Sequence, residues 1–198
     1  LFRSVITGDL IDKLAWLPQV CERLTTFAKQ IPDGVDFILG NHEYHHDVNK
    51  VLDSLKRNTP MNILVNSNIQ IMGGKQPVYI AGVAYDNDRE KEKREAMIDK
   101  ALSGIPDYAF VILLAHHPEF FEESIERKIP LTLSGHTHGG QIVFMGMPLV
   151  PTGTPYTKGR YVEEQSVCYV NNGTGHWFPI RINCPREITV ITFFDGVA

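Results

Sequence analysis

The chain has 198 residues, 43% hydrophobic and 21% charged, with a formal net charge of −4. That is enough apolar material for one domain with a real core, since ~150 residues already bury ~70% of the unfolded surface, and it excludes a disordered chain. The acidic balance argues against a general nucleic-acid binder, and no run reaches the ~18 apolar residues of a membrane-spanning helix.

The opening Leu1-Phe2-Arg3-Ser4 runs straight into a strand, with no initiator Met and no leader. The chain is therefore expected to begin in mid-domain, lacking a first strand and helix and any targeting segment. After Asp12 a helical pattern begins, with Pro18 suited to its first turn. Val20, Leu24, Phe27 and Ala28 predict its buried stripe. Pro32-Asp33-Gly34 forms a turn into a strand from Val35 to Leu39. Asp47 can cap a second helix, whose Val48, Val51, Leu52 and Leu55 share a face. Strands are predicted around Ile63 to Val65 and Val78 to Ala84, separated by Gly73-Gly74.

Asp88 through Leu102 reads as a helix whose charged front, Arg89 to Glu95, is expected to be a solvated face. A strand from Ala109 to Ala115 and a short helix from Phe120 to Arg127 follow. Beyond His138 the pattern turns to strands: Gln141 to Met145, Arg160 to Val170 and Ile188 to Phe194. Strand and helix alternate first and strands dominate later. This order predicts an α/β fold of two packed mixed sheets with helices outside, in a single domain over 1–198. Cys21, Cys168 and Cys184 are odd in number and far apart, so buried thiols are expected rather than a zinc site or disulfides.

Four apolar runs each stop at a small residue followed by a ligand-type residue: Thr7-Gly8-Asp9, Leu39-Gly40-Asn41-His42, Leu114-Ala115-His116 and Ser134-Gly135-His136. Chemistry in open α/β sheets sits just beyond the carboxyl ends of strands. Residues i and i+2 at a strand end project to one side, so His136 and His138 can face one cluster. Each motif alone has a plain alternative: a polar turn around His136, a common Gly-Asp turn at Asp9, a solvent-facing pair at His116 and His117. Together, one carboxylate, one amide and several imidazoles point to a divalent metal of the Mn, Fe or Zn type. The Gly-rich loop from Asn171 to Trp177 lacks a P-loop ending. It is either a structural turn or a loop presenting His176 and Arg181 to substrate, Arg181 being better matched to phosphate oxygens. His45 and His46 read as surface residues.

The order Gly-Asp-x-x-Asp, Gly-Asn-His-Glu, His, Gly-His-x-His, with the later Gly173-Thr174-Gly175, Arg181 and Cys184-Pro185-Arg186-Glu187-Ile188, resembles the calcineurin-like metallophosphoesterases. Within them it is similar to the bacterial YaeI/YkuE type, whose members are often membrane-associated. The resemblance implies a four-layer α/β/β/α sandwich and hydrolysis of a phosphate ester or pyrophosphate by a metal-activated hydroxide. Asp9 would bridge two metals. Asn41, His116 and His136 would complete one shell, and His138 would join the other; His116 is favoured over His117 by its place two residues before Pro118. His42 would be the general acid, oriented by Asp12, with Glu43 in a weaker supporting role.

The family's opening Asp-x-His motif occurs nowhere in this chain. Two divalent ions are thus expected in the complete protein and at most one well held here, and a catalytically inactive scaffold or regulatory binding module is the second reading. The implied partner is a small phosphorylated compound, with a phospholipid or sugar-nucleotide lipid within the range. The implied location is cytoplasmic or peripheral to a membrane.

Overall fold

The computed structural model describes residues 2–85 and 90–194. The first half alternates as its periodicities require: β1 (Ser4–Ile6), α1 (Leu17–Ala28), β2 (Val35–Ile38), α2 (Asn41–Tyr44), α3 (Val48–Asn58) and β3 (Asn62–Leu64). There follow β4 (Ser67–Met72), β5 (Val78–Gly82), α4 (Lys91–Leu102), β6 (Phe110–Leu114), α5 (Phe120–Glu126) and β7 (Leu131–Ser134). A short hairpin of β8 (Val143–Phe144) and β9 (Met147–Pro148) and a longer one of β10 (Gly159–Glu163) and β11 (Ser166–Val170) complete the elements.

β1, β2 and β3 form a parallel sheet, and a mixed sheet runs in the order β10-β11-β7-β6-β5-β4. Period-2 alternation explains how both faces of each sheet are used. Val35, Phe37 and Leu39 face α1 and α3, packing on Leu17, Cys21, Val51 and Leu55. Ile38 and Leu64 turn the other way, onto Ile80, Ile112, Leu114, Leu131 and Leu133 of the larger sheet. The far face of that sheet, through Ala81, Val83, Val111 and Leu113, takes Ile98 and Ala101 of α4. The result is helix, sheet, sheet, helix, the layering expected from the sequence. At Gly82 the sheets approach so closely that a Cβ would lie 2.5 Å from Leu64 Cβ, a spacing only glycine permits.

Local signals place most ends. Asp47 caps α3 by accepting from the Lys50 N–H at 3.2 Å, and Pro18 sits in the first turn of α1. All three cysteines are buried free thiols, and burial pushes Cys168 up to about 12.

Several expectations are corrected. Phe27 is 39% exposed, because the buried face of α1 runs through Leu17, Cys21 and Ala28. β4 was not expected, although Ile69 and Ile71 alternate toward the inter-sheet core. The charged front of α4 is not wholly solvated: Arg94 lies 2.7 Å from the fully buried Glu123 of α5, and Lys91 lies 2.6 Å from Glu126. Asp88 and Arg89 lie outside the described residues. The strand expected from Ile188 to Phe194 does not form. Its Thr189 is tied to Asn171 and the preceding Glu187 to Tyr169 by side chains, and Ile188 is 84% exposed. High β propensity without a pairing partner leaves an extended strap. Among the described residues, no helix is long and apolar enough to cross a membrane.

Candidate active site

Parallel register brings the four strand ends to one edge of the molecule. Ile6 is level with Phe37 in the smaller sheet, and Leu114 with Leu133 in the larger. Asp9, Asn41, His116 and His136 each lie a few residues past these pairs. His116 stitches the two sheets together: its Nδ1–H donates to Thr7 O at 2.7 Å. That bond leaves Nε2 as the free position, and Nε2 lies 2.9 Å from Asn41 Oδ1 and 3.2 Å from Asp9 Oδ2. His136 Nδ1 comes to 2.9 Å from the same amide oxygen and 3.2 Å from His116 Nε2.

The backbone at this edge is unusual. Asp9, His136 and His138 hold φ values of 59°, 66° and 50°, a left-handed region that non-glycine residues seldom occupy and that clusters at functional sites. Gly40 is required by close approach: a Cβ there would collide with the Asp9 carboxylate and lie 2.8 Å from His116 Cε1.

Glu43 carries more of the site than its sequence motif indicated. It is fully buried and accepts from the backbone N–H groups of Gly40 (2.7 Å), Asp9 (3.0 Å), Leu10 (2.6 Å) and Ile11 (2.8 Å). One carboxylate thus locks the loop after β1 to the loop after β2. Burial, reinforced by the Asp9 charge, pushes its pKa up against those N–H groups.

His42 opens α2. Its backbone N–H donates to Asp9 Oδ1 at 2.9 Å, its Nδ1 meets Asp12 Oδ1 at 3.0 Å, and its Nε2 is 4.0 Å from Asp9 Oδ2. His46 is tied to the Asp12 carbonyl at 2.9 Å.

These side chains border a cavity of about 250 Å³ lined by Asp9, Asn41, His42, His136 and His138 together with Val150, Pro151, Thr152 and Trp177. His116 lies beneath it, 3% exposed. The five expected ligands are therefore brought together, with His42 and Asp12 beside them. The two expected substrate contacts are not over the cavity. His176 is exposed and outside its lining. Arg181 lies behind His138: its guanidinium donates to Asn172 O (2.8 Å), Gly175 O (2.7 Å) and His138 O (3.3 Å), and reaches His138 Nδ1 at 3.2 Å. A hydrogen-bonding fork suits a cage of carbonyls as well as a phosphate, and sequence carries no signal between them. His117, which the resemblance ranks behind His116, stacks its ring on His136 at 3.8 Å, and His116, His117 and His136 together could hold an ion.

The donor set fits a divalent cation. Asn41 Oδ1 and Asp9 Oδ2 are acceptors only, and the Thr7 bond makes His116 Nε2 a lone pair in the neutral ring. Several lone pairs crowding within hydrogen-bond distance repel unless a cation or protons intervene. Without a metal, the protons do so: against the desolvating effect of burial, the hydrogen bond to Asp9 pushes the His116 pKa up. Burial alone would raise Asp9, but the bond and charge of His116 hold it well below the usual carboxylate range. Burial drives His136 down to about 3, helped by the charges of His117 and His116. Burial and then the Arg181 charge take His138 to about 4.

For the metal-free chain, these depressed imidazoles predict acid lability. The unfolded state binds more protons than the native state below pH ~6.5, so stability present above that pH is lost as pH falls toward 4 and then 3. His116, with a raised pKa, is protonated in both states over this range and adds no slope there, while Glu43, whose pKa burial raises, opposes the loss with a single site. Urea midpoints should therefore fall between pH 6.5 and 4, and a flat profile would contradict the burial of His136 and His138.

The sequence pattern of the calcineurin-like phosphoesterases matches residues 4–140, and the chain belongs to that family. Metal-dependent phosphoester hydrolysis is the chemistry the family name describes. Among relatives, it is 36% identical to an uncharacterized metallophosphoesterase of Campylobacter jejuni, over 94% of this chain and 49% of that protein. It is 32% identical to the uncharacterized metallophosphoesterase YkuE of Bacillus subtilis, over 95% of this chain and 66% of that protein. A transmembrane protein with metallophosphoesterase domain from Danio rerio is 30% identical, over 94% of this chain and 44% of its own length. The chain spans about half the length of the first of these curated relatives.

Proposed function

We propose that this chain is the catalytic part of a metal-dependent phosphoesterase acting on a small phosphate ester or pyrophosphate. The observation that carries the reading is the meeting of Asn41 Oδ1, His116 Nε2, His136 Nδ1 and Asp9 Oδ2 at 2.9–3.2 Å from neighbours within the group. Those four groups would hold one divalent ion. Asp9 and His138 are this chain's share of a second, which is why one ion is expected to be well held. When bound, the ion supplies Lewis-acid polarisation of phosphoryl oxygens and acidifies water.

The chain's own residues supply the rest. Asp12, bonded to His42 Nδ1, fixes the ring so that Nε2 faces the cavity. In its protonated form His42 would deliver that proton to the departing oxygen. His117, stacked on His136, and Glu43, clasping the Asp9 loop, keep the floor from shifting. Resemblance to YkuE supports the bacterial branch, and relatives named as transmembrane proteins support peripheral membrane association. Within that setting a phospholipid or a sugar-nucleotide lipid is the proposed substrate range.

The test is Asp9→Asn. It keeps shape but removes the charge, and is expected to strip bound Mn²⁺ and to lower phosphodiesterase activity by at least about 100-fold. Retention of both metal and activity would end the proposal, and two tightly bound ions per wild-type chain would end the single-ion part of it.

A further inference from the structure

One wall of the cavity has no role in holding metal or moving protons. Val150, Pro151 and Trp177 line the same cavity as Asp9, His136 and His138. Trp177 is 53% exposed, with the Phe178 ring tilted beside it at 5.9 Å, so part of its apolar body stays open to a ligand in the cavity it lines.

The backbone beneath the ring is held firmly. The Trp177 N–H donates to Gln141 Oε1 at 3.2 Å, and the Gln141 amide nitrogen donates onward to Ile180 O at 2.9 Å. Gln141 is fully buried and directly follows the turn that carries His138. The same turn therefore positions the metal-facing imidazole and the anchor of the indole. Arg181, bonded to the carbonyls of Asn172 and Gly175, fastens the loop from its other side. A rigid backbone presenting a half-exposed indole is preorganised for a ligand.

We propose that Trp177, with Val150 and Pro151, forms the subsite for the leaving group, and that this group offers a flat π face, as an aryl ring or a nucleobase does. The assignment rests on the phosphoesterase reading of the floor and narrows its substrate range to the nucleotide-bearing compounds, since a phospholipid offers no π face. The cavity of about 250 Å³ lies just under the ~300 Å³ at which drug-sized pockets begin. It has room for a phosphoryl group and one ring, so any further part of the substrate lies outside it. Trp177 is then a specificity-determining residue: it selects what is attached to phosphorus and leaves the reaction itself to the floor.

The test uses the Zn²⁺-loaded chain in a Trp16→Phe background, which leaves Trp177 as its single tryptophan. Two non-hydrolysable probes, phenylphosphonate and methylphosphonate, are titrated by calorimetry and by indole emission. Phenylphosphonate is expected to change the emission and to bind about tenfold more tightly, whereas Trp177→Ala brings the two affinities within about twofold and Trp177→Phe keeps most of the preference. Equal affinities in the parent chain, or a preference that survives Trp177→Ala, would overturn the subsite while leaving the floor's function standing. Failure of both probes to bind would overturn the phosphoesterase reading, and the subsite with it.

Discussion

Replacing Glu43 by alanine is expected to lower the free energy of unfolding by about 3–5 kcal/mol and to empty the metal centre. Four backbone N–H groups, of Gly40, Asp9, Leu10 and Ile11, converge on this one buried carboxylate. Alanine would leave four donors unsatisfied, two buried (Gly40 and Ile11) and two part-buried (Asp9 and Leu10), at ~1–3 kcal/mol for each buried one, with relaxation and entering water recovering part of the loss. Glu43→Gln should cost less than alanine but still weaken the site. One carboxylate oxygen serves Gly40 and Asp9, the other Leu10 and Ile11, so the new amide must point its own hydrogens at one pair of donors. Because the clasp spans the loops after β1 and β2, its loss also frees Asp9 from the register that sets it against His116. Denaturant unfolding together with metal analysis checks both effects. A Glu43→Ala chain within about 1 kcal/mol of the parent would show that the clasp is dispensable.

His42→Ala should have the opposite profile: activity down by about 10²–10⁴-fold with metal content unchanged. His42 touches Asp9 closely only through its backbone N–H, at 2.9 Å, and alanine keeps that donor. What disappears is the imidazole whose Nδ1 is bonded to Asp12 and whose ring lines the cavity. Asp12→Asn should fall between the two, by about 10–100-fold, because it leaves the ring present but poorly oriented. Metal loss in His42→Ala would move His42 into the ligand set and leave the general acid to be found elsewhere.

Much of this architecture is written in short-range pattern. Apolar runs ending in Gly-Asp, Gly-Asn-His and Gly-His-x-His mark strand ends that deliver metal-type ligands, and helical spacing with Asp47 as cap marks α3. Such signals are local because strand alternation and helical stripes are set by a few neighbouring residues. Three features could not be reached that way. Whether His116 or His117 faces Asn41 depends on the Thr7 carbonyl, 109 positions away in sequence. The Arg181 fork could have met a phosphate, yet meets the carbonyls of Asn172 and Gly175. Ile188 to Phe194 has the composition of a strand, but a strand needs a partner edge, and Thr189 and the preceding Glu187 instead meet Asn171 and Tyr169 through side chains. The sequence alone therefore determined which chemical groups stand at the strand ends. Only the packing of one sheet on the other decided which atoms of those groups meet, because hydrogen-bond partners remote along the chain are selected by distance in space.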